Sequence, residues 1–196
     1  MHYPDLTTFR NLAKDHQLIP VYRRLVSDTL TPVTAFHKID TGGSACLFES
    51  VIGGEKVGRY SFLAADPFLE IAARGTDVTI SEGGRMHQFT AADPLQVLRQ
   101  RLNEPKAALL PGLPPFGGGA VGYAGYDVVR YTEHLPNAPQ DDCGLPDLAF
   151  GFYPRMIVFD NIDKTMYVVV TARVDGQADA DRAYREAQRR VDETVS

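Results

Sequence analysis

The chain has 196 residues, 44% of them hydrophobic and 23% charged, with a formal net charge of −5. These fractions sit near globular averages and exclude disordered and collagen-like chains. The mildly acidic balance argues against a nucleic-acid surface, which needs clustered Lys and Arg. No apolar run approaches the roughly 20 residues that span a bilayer.

The length predicts one large or two small domains. The first residues, Met1-His2-Tyr3-Pro4-Asp5, carry neither the basic nor the apolar region of a secretory signal. Cys46 and Cys143 stand far apart with no metal-binding spacing, so reduced thiols in a cytoplasmic protein are expected.

Residues 6–17 place Phe9, Leu12 and Ala13 on one face, which predicts a short amphipathic helix with Thr7 or Thr8 at its N-cap. Residues 19–26 read as a strand carrying Ile19, Val21 and Leu25, interrupted by Tyr22, Arg23 and Arg24. The two arginines suit either an anion site or a solvated edge strand, and edge strands commonly carry such charges. Thr31-Pro32 is a strong helix start: Thr31 caps, and Pro32 at the first helical position has no N–H to leave unpaired. That helix is expected to stop near Asp40, before Gly42-Gly43.

Two apolar runs, 44–52 and 57–65, flank Gly53-Gly54 and predict a strand, a tight turn and a second strand. A two-residue turn there sets Ser50 opposite Val57, with Arg59 diagonally near it. The Glu49 carboxylate, the Ser50 hydroxyl and the Arg59 guanidinium then converge as a receptor for a zwitterion. The plainer alternative is a partly exposed Glu49–Arg59 ion pair across the strands, which is worth little. Neighbouring strand residues also face opposite ways, so Glu49 and Ser50 meet one ligand only where the strand ends or bulges, or where one of them offers its backbone.

Three strands follow at 68–74, 77–81 and 85–89, separated by turn chemistry, and form an antiparallel meander. Asp93 caps a helix over 95–102 with Leu95, Leu98 and Leu102 on one stripe. Residues 104–115 are Pro-rich and turn across the surface. Gly117, Gly119 and Gly122 match G-x-G-x-x-G, with Asp142 about 20 residues further on, as in dinucleotide sites. The context opposes that match, because Pro114-Pro115 occupy the place of the preceding strand and no long helix follows. A glycine-rich strand that admits another backbone closely is the structural reading, with Asp127 capping a short helical turn after it.

The polar loop 137–144 is the best internal break. Strands are expected at 145–150, 155–160 and 166–172, with a turn over Asn161-Ile162-Asp163-Lys164. Helix 178–195 reaches the last residue without a Gly or Pro stop, as expected for a piece of a longer protein. The fold class is therefore α+β: a mostly antiparallel sheet, curled or split into two layers, with helices packed against one face. The five histidines are scattered singly and Asp141-Asp142 read as a solvated loop, so no metal site is expected. There is no G-x-S-x-G elbow and no Walker A lysine.

Leu47-Phe48-Glu49-Ser50, then Gly58-Arg59-Tyr60-Ser61-Phe62 and Asp66-Pro67, resembles the N-terminal region of anthranilate synthase component I. That family carries an LLES element, here with Phe48 in the second leucine place, and a GRYSF segment. The Leu30-Thr31-Pro32-Val33 lead-in and the GGxVGYxGYD run ending at Asp127 resemble it too, so the likeness covers essentially the whole sequence. The resemblance implies that residues 1–196 are the N-terminal regulatory domain. Catalytic acids, chorismate and Mg²⁺ would then belong to an absent C-terminal domain, leaving no catalytic residue or cofactor in this chain.

The resemblance further implies a parent lyase that makes anthranilate and pyruvate from chorismate and ammonia. A glutamine amidotransferase subunit, component II, would supply the ammonia. It assigns Ser50, Glu49, Phe48, Arg59 and Tyr60 to a pocket for L-tryptophan, the end product and allosteric inhibitor. Two alternatives stay open: the corresponding part of 4-amino-4-deoxychorismate synthase, and a non-catalytic interaction module that binds no amino acid.

Overall fold

The computed structural model describes residues 1–49, 58–137 and 140–196. Ser50 and the predicted Gly53-Gly54 turn lie outside the described residues. The chain runs α1 (Leu6–Leu12), β1 (Leu18–Val26), α2 (Pro32–Ile39), β2 (Ala45–Phe48) and β3 (Tyr60–Ala65). It continues through β4 (Leu69–Arg74), β5 (Asp77–Glu82), β6 (Arg85–Thr90), α3 (Pro94–Asn103) and β7 (Gly119–Ala124). After a 3-10 helix at Tyr126–Tyr131 come β8 (Leu148–Tyr153), β9 (Arg155–Asp160), β10 (Thr165–Arg173) and α4 (Ala180–Val195).

Two compact units result. One comprises Met1–Pro67, Pro105–Gly119 and Tyr153–Ser196, the other Phe68–Glu104 and Ala120–Phe152. The expected break at 137–144 is thus corrected, because that loop lies inside the second unit. Asp141 closes it locally, accepting the Cys143 and Gly144 N–H groups at 3.1 and 2.9 Å and pairing with Arg74.

The first unit is a five-stranded sheet in the order β1-β10-β9-β3-β2, with the pairs β1/β10, β10/β9, β9/β3 and β3/β2 antiparallel. Alternate residues of its strands, Ile19, Val21, Leu63, Ile157, Phe159, Val168 and Val170, enter one core with Phe9 of α1, Ala35 of α2 and Tyr184, Ala187 and Val191 of α4. The period-2 pattern of the strands meets the 3.6-period stripe of the helices there. β1 is an edge strand, as its arginines suggest. Arg23 reaches Asp192 of α4 at 2.8 Å and Arg24 reaches Asp163 at 3.5 Å.

The second unit has the order β6-β5-β4-β8-β7, with β4-β5-β6 the predicted meander. Leu98 of α3 packs into its core with Ile71, Val78 and Ile80, and Leu95 lies against them. Leu102, expected on the same stripe, is 48% exposed. β7 is the glycine-rich strand, lying at the sheet edge beside β8. A strand and a six-residue 3-10 helix, in place of a phosphate loop and a long helix, leave nothing of the dinucleotide motif but its spacing.

Three local expectations are corrected. The cap of α1 is Asp5, which accepts the Thr8 N–H at 2.8 Å, rather than Thr7 or Thr8. A carboxylate one residue upstream meets the free N–H groups of the first turn, which also hold it below its ordinary range. Asp127 does not cap the 3-10 helix. It lies within it and pairs with Arg130 at 2.6 Å, while Gly125 occupies the cap position. The hairpin register differs as well: a two-residue turn at Gly53-Gly54 would set Phe48 opposite Arg59, whereas Phe48 stands opposite Phe62. Register follows the buried face, where Leu47 opposes the fully buried Leu63.

Candidate functional site

The face of the first sheet turned away from the helical core carries an uninterrupted cross-strand row. Arg24 opposes Tyr167, Tyr167 opposes Val158, Val158 opposes Phe62, and Phe62 opposes Phe48. Each is offset by one from a core residue, so the alternation that builds the core also builds this row. Its ends are a cation, with the Arg24 guanidinium 5.6 Å from the Tyr167 ring centre, and an aromatic ring, Phe48, that is 53% exposed. Tyr60, two residues before Phe62, lies 6.1 Å from it ring to ring, and Phe116 meets Phe62 edge-on at 5.9 Å. Such tilted and edge-on pairs are the favoured aromatic geometries.

Arg59 stands at the entry to β3. Its Nε and Nη2 donate to Oδ2 of Asp160 at 3.0 and 2.7 Å, and Nη2 also reaches Asp163 at 3.2 Å. The guanidinium carbon lies 5.1 Å from the Tyr60 ring centre, within cation–π range. Asp160 is buried, and its Oδ1 accepts the backbone N–H groups of Ile162 and Asp163, both at 3.1 Å. Burial alone would raise this carboxyl, but the Arg59 hydrogen bonds and the two N–H groups outweigh it and hold the group below the ordinary carboxylate range. Burial also pushes the Tyr60 phenol up.

The same turn grips the backbone. The Asn161 N–H donates to the Arg59 carbonyl at 2.8 Å, and the Asn161 amide donates to the buried Ser61 hydroxyl at 3.0 Å. The Asn161 amide also donates to the Gly58 carbonyl at 3.4 Å, so Asn161 alone fastens Gly58, Arg59 and Ser61 to the β9–β10 turn. Of the five residues assigned to the pocket, Phe48, Arg59 and Tyr60 gather at one end of this face. Glu49 follows the end of β2 and is exposed, and Ser50 lies outside the described residues. The ion pair imagined between Glu49 and Arg59 is replaced by Arg59–Asp160. Leu47, next to Phe48 in β2, packs against the helical core.

Sequence reading missed Asp160, treating it only as the end of a strand. The signal was there: a carboxylate closing the buried run Met156-Ile157-Val158-Phe159 must find a partner. Among the described residues no group of three or more His, Cys, Asp or Glu is placed to hold a metal ion. Among them also, no helix is long and apolar enough to cross a membrane.

The architecture defines an α+β class of protein, two antiparallel sheets with helices, and comparison with known proteins gives its family. Residues 44–195 match the family described as chorismate binding enzyme, so the chain belongs to that family. It is 37% identical to anthranilate synthase component 1 of Acetivibrio thermocellus over 97% of this chain and 38% of that protein. It is 38% identical to anthranilate synthase component 1 of Acinetobacter calcoaceticus over 95% of this chain and 38% of that one. The crystal structure of anthranilate synthase component I from Streptococcus pneumoniae is similar with a TM-score of 0.51 at 26% identity, covering 88% of this chain and 35% of that one. The chain thus spans well under half the length of these relatives.

Proposed function

We propose that this chain is the regulatory portion of an anthranilate synthase component I and contributes its feedback site for L-tryptophan. The parent protein would be a cytoplasmic lyase that forms anthranilate and pyruvate from chorismate, with ammonia supplied from glutamine by component II. Its catalytic acids and Mg²⁺ would belong to a part of the parent protein outside this chain. Regulation works by differential binding: tryptophan favours an arrangement in which the parent is a poor catalyst.

The observation that supports this reading is the exposed Phe48 ring opposite Phe62, whose own ring meets Tyr60 under Arg59, within the segment that resembles the family's regulatory element. An indole requires an aromatic or apolar surface next to groups that orient its amino-acid end, and Glu49 and Ser50 adjoin Phe48 for that purpose. The test is Ser50→Arg in the full-length protein. Tryptophan inhibition is expected to be relieved far more than turnover falls. Unchanged inhibition would overturn the site. Equilibrium dialysis with radiolabelled tryptophan reports binding directly.

A further inference from the structure

We infer that Asp160 is a positioning residue for the tryptophan site, acting through Arg59 on Tyr60; this rests on the function proposed above. Arg59 looks by residue type like the group that would take a ligand carboxylate. Its geometry gives it another task. Both Nε and Nη2 are directed at Asp160, so the guanidinium plane is held across the Tyr60 ring instead of swinging outward. Asp160 is also the ladder partner of Tyr60, so one residue sets both the backbone and the cation that frame that ring.

The anchor is rigid on the other side too. Asp160 is 2% exposed and bound by two N–H groups of its own turn, while Asn161 holds Arg59 and Ser61. Asp163 is a poorer substitute, since its single contact to Arg59 is at 3.2 Å and its side chain is 44% exposed. Without the Asp160 charge, Arg59 is expected to move toward Asp163 and solvent, leaving Tyr60 uncovered. A ligand seated against Tyr60 and Phe48 then loses affinity, although Asp160 never touches it.

The experiment compares Asp160→Asn, Arg59→Lys, Ser50→Arg and, as a control in the other unit, Arg74→Ala, all in the full-length protein. Each is assayed for tryptophan inhibition of anthranilate formation, for tryptophan binding by equilibrium dialysis with radiolabelled tryptophan, and for kcat and KM separately. Asp160→Asn and Arg59→Lys are each expected to raise the half-inhibiting tryptophan concentration on the order of tenfold, the equivalent of one lost charged hydrogen bond. That rise should exceed any change in kcat/KM, and Arg74→Ala should behave as wild type.

Inhibition unchanged in Asp160→Asn while Ser50→Arg relieves it overturns this inference and leaves the tryptophan site standing. Inhibition unchanged in all of them overturns the site itself. A parallel fall in kcat/KM and inhibition overturns the positioning role in favour of a general structural one. Should Asp160→Asn not fold, Arg59→Lys, which keeps the charge but not the two-pronged contact, decides alone.

Discussion

Gly122 of β7 stands against the backbone of Ala149 and Phe150 in β8 with no room for a β-carbon. A β-carbon on Gly122 would stand 1.9 Å from the Ala149 carbonyl oxygen and 2.6 Å from the Phe150 Cα. These are backbone atoms of β8, which is bound to β4 on its other side, so no side-chain rotation relieves the clash. Gly122→Ala is expected to destabilise the chain by about 3 kcal/mol, the upper range for overpacking. Gly43→Ala, where the nearest atom is 3.9 Å away, should be nearly neutral. Urea midpoints of the two variants check the pair, and equal midpoints would refute the close approach.

Acid should weaken the fold through Asp160. Its pKa in the folded chain is lowered from the ordinary 3.8, so its stabilisation is complete above that value and is lost as pH falls through the folded pKa. Asp160→Asn removes the ion pair and is expected to cost about 2 kcal/mol at neutral pH. The gap between wild type and variant should then close on going below pH 3.8. Denaturant titrations across that range measure it, and a gap independent of pH would assign the cost to packing.

The α2 cap is reciprocal: Thr31 Oγ accepts the Thr34 N–H at 3.2 Å and Thr34 Oγ accepts the Thr31 N–H at 2.9 Å. Thr31→Ala should cost about 1 kcal/mol and Thr31→Ser much less. Thermal melts distinguish them.

The buried Tyr184 hydroxyl of α4 donates to the Pro4 carbonyl at 2.8 Å. Tyr184→Phe leaves that acceptor unpaired at a cost of about 1–2 kcal/mol. Faster proteolysis near the N-terminus is expected alongside a lower melting temperature, and wild-type digestion kinetics would rule the tether out.

Elements with local signals were legible in the sequence. Thr31-Pro32 placed the start of α2, Asp93 placed that of α3, and the Gly75 and Gly83-Gly84 turns placed the meander, because caps and turns are written within a few residues of where they act. The site was legible only as a cluster of residue types. Arg59 was picked out as a charge near Glu49, while its carboxylate partner lay 101 residues away.

The sequence by itself determined the α+β class, the amphipathic faces and the family resemblance, since period, capping and motif spacing are short-range properties. Tertiary structure alone decided that β1 pairs with β10, that Phe48 opposes Phe62, and that Asp160 holds Arg59 over Tyr60. Each joins residues whose separation leaves no local trace, and burial of a shared face selects it: one side of the sheet must fill the helical core, which sends Tyr60, Phe62 and Phe48 together to the other.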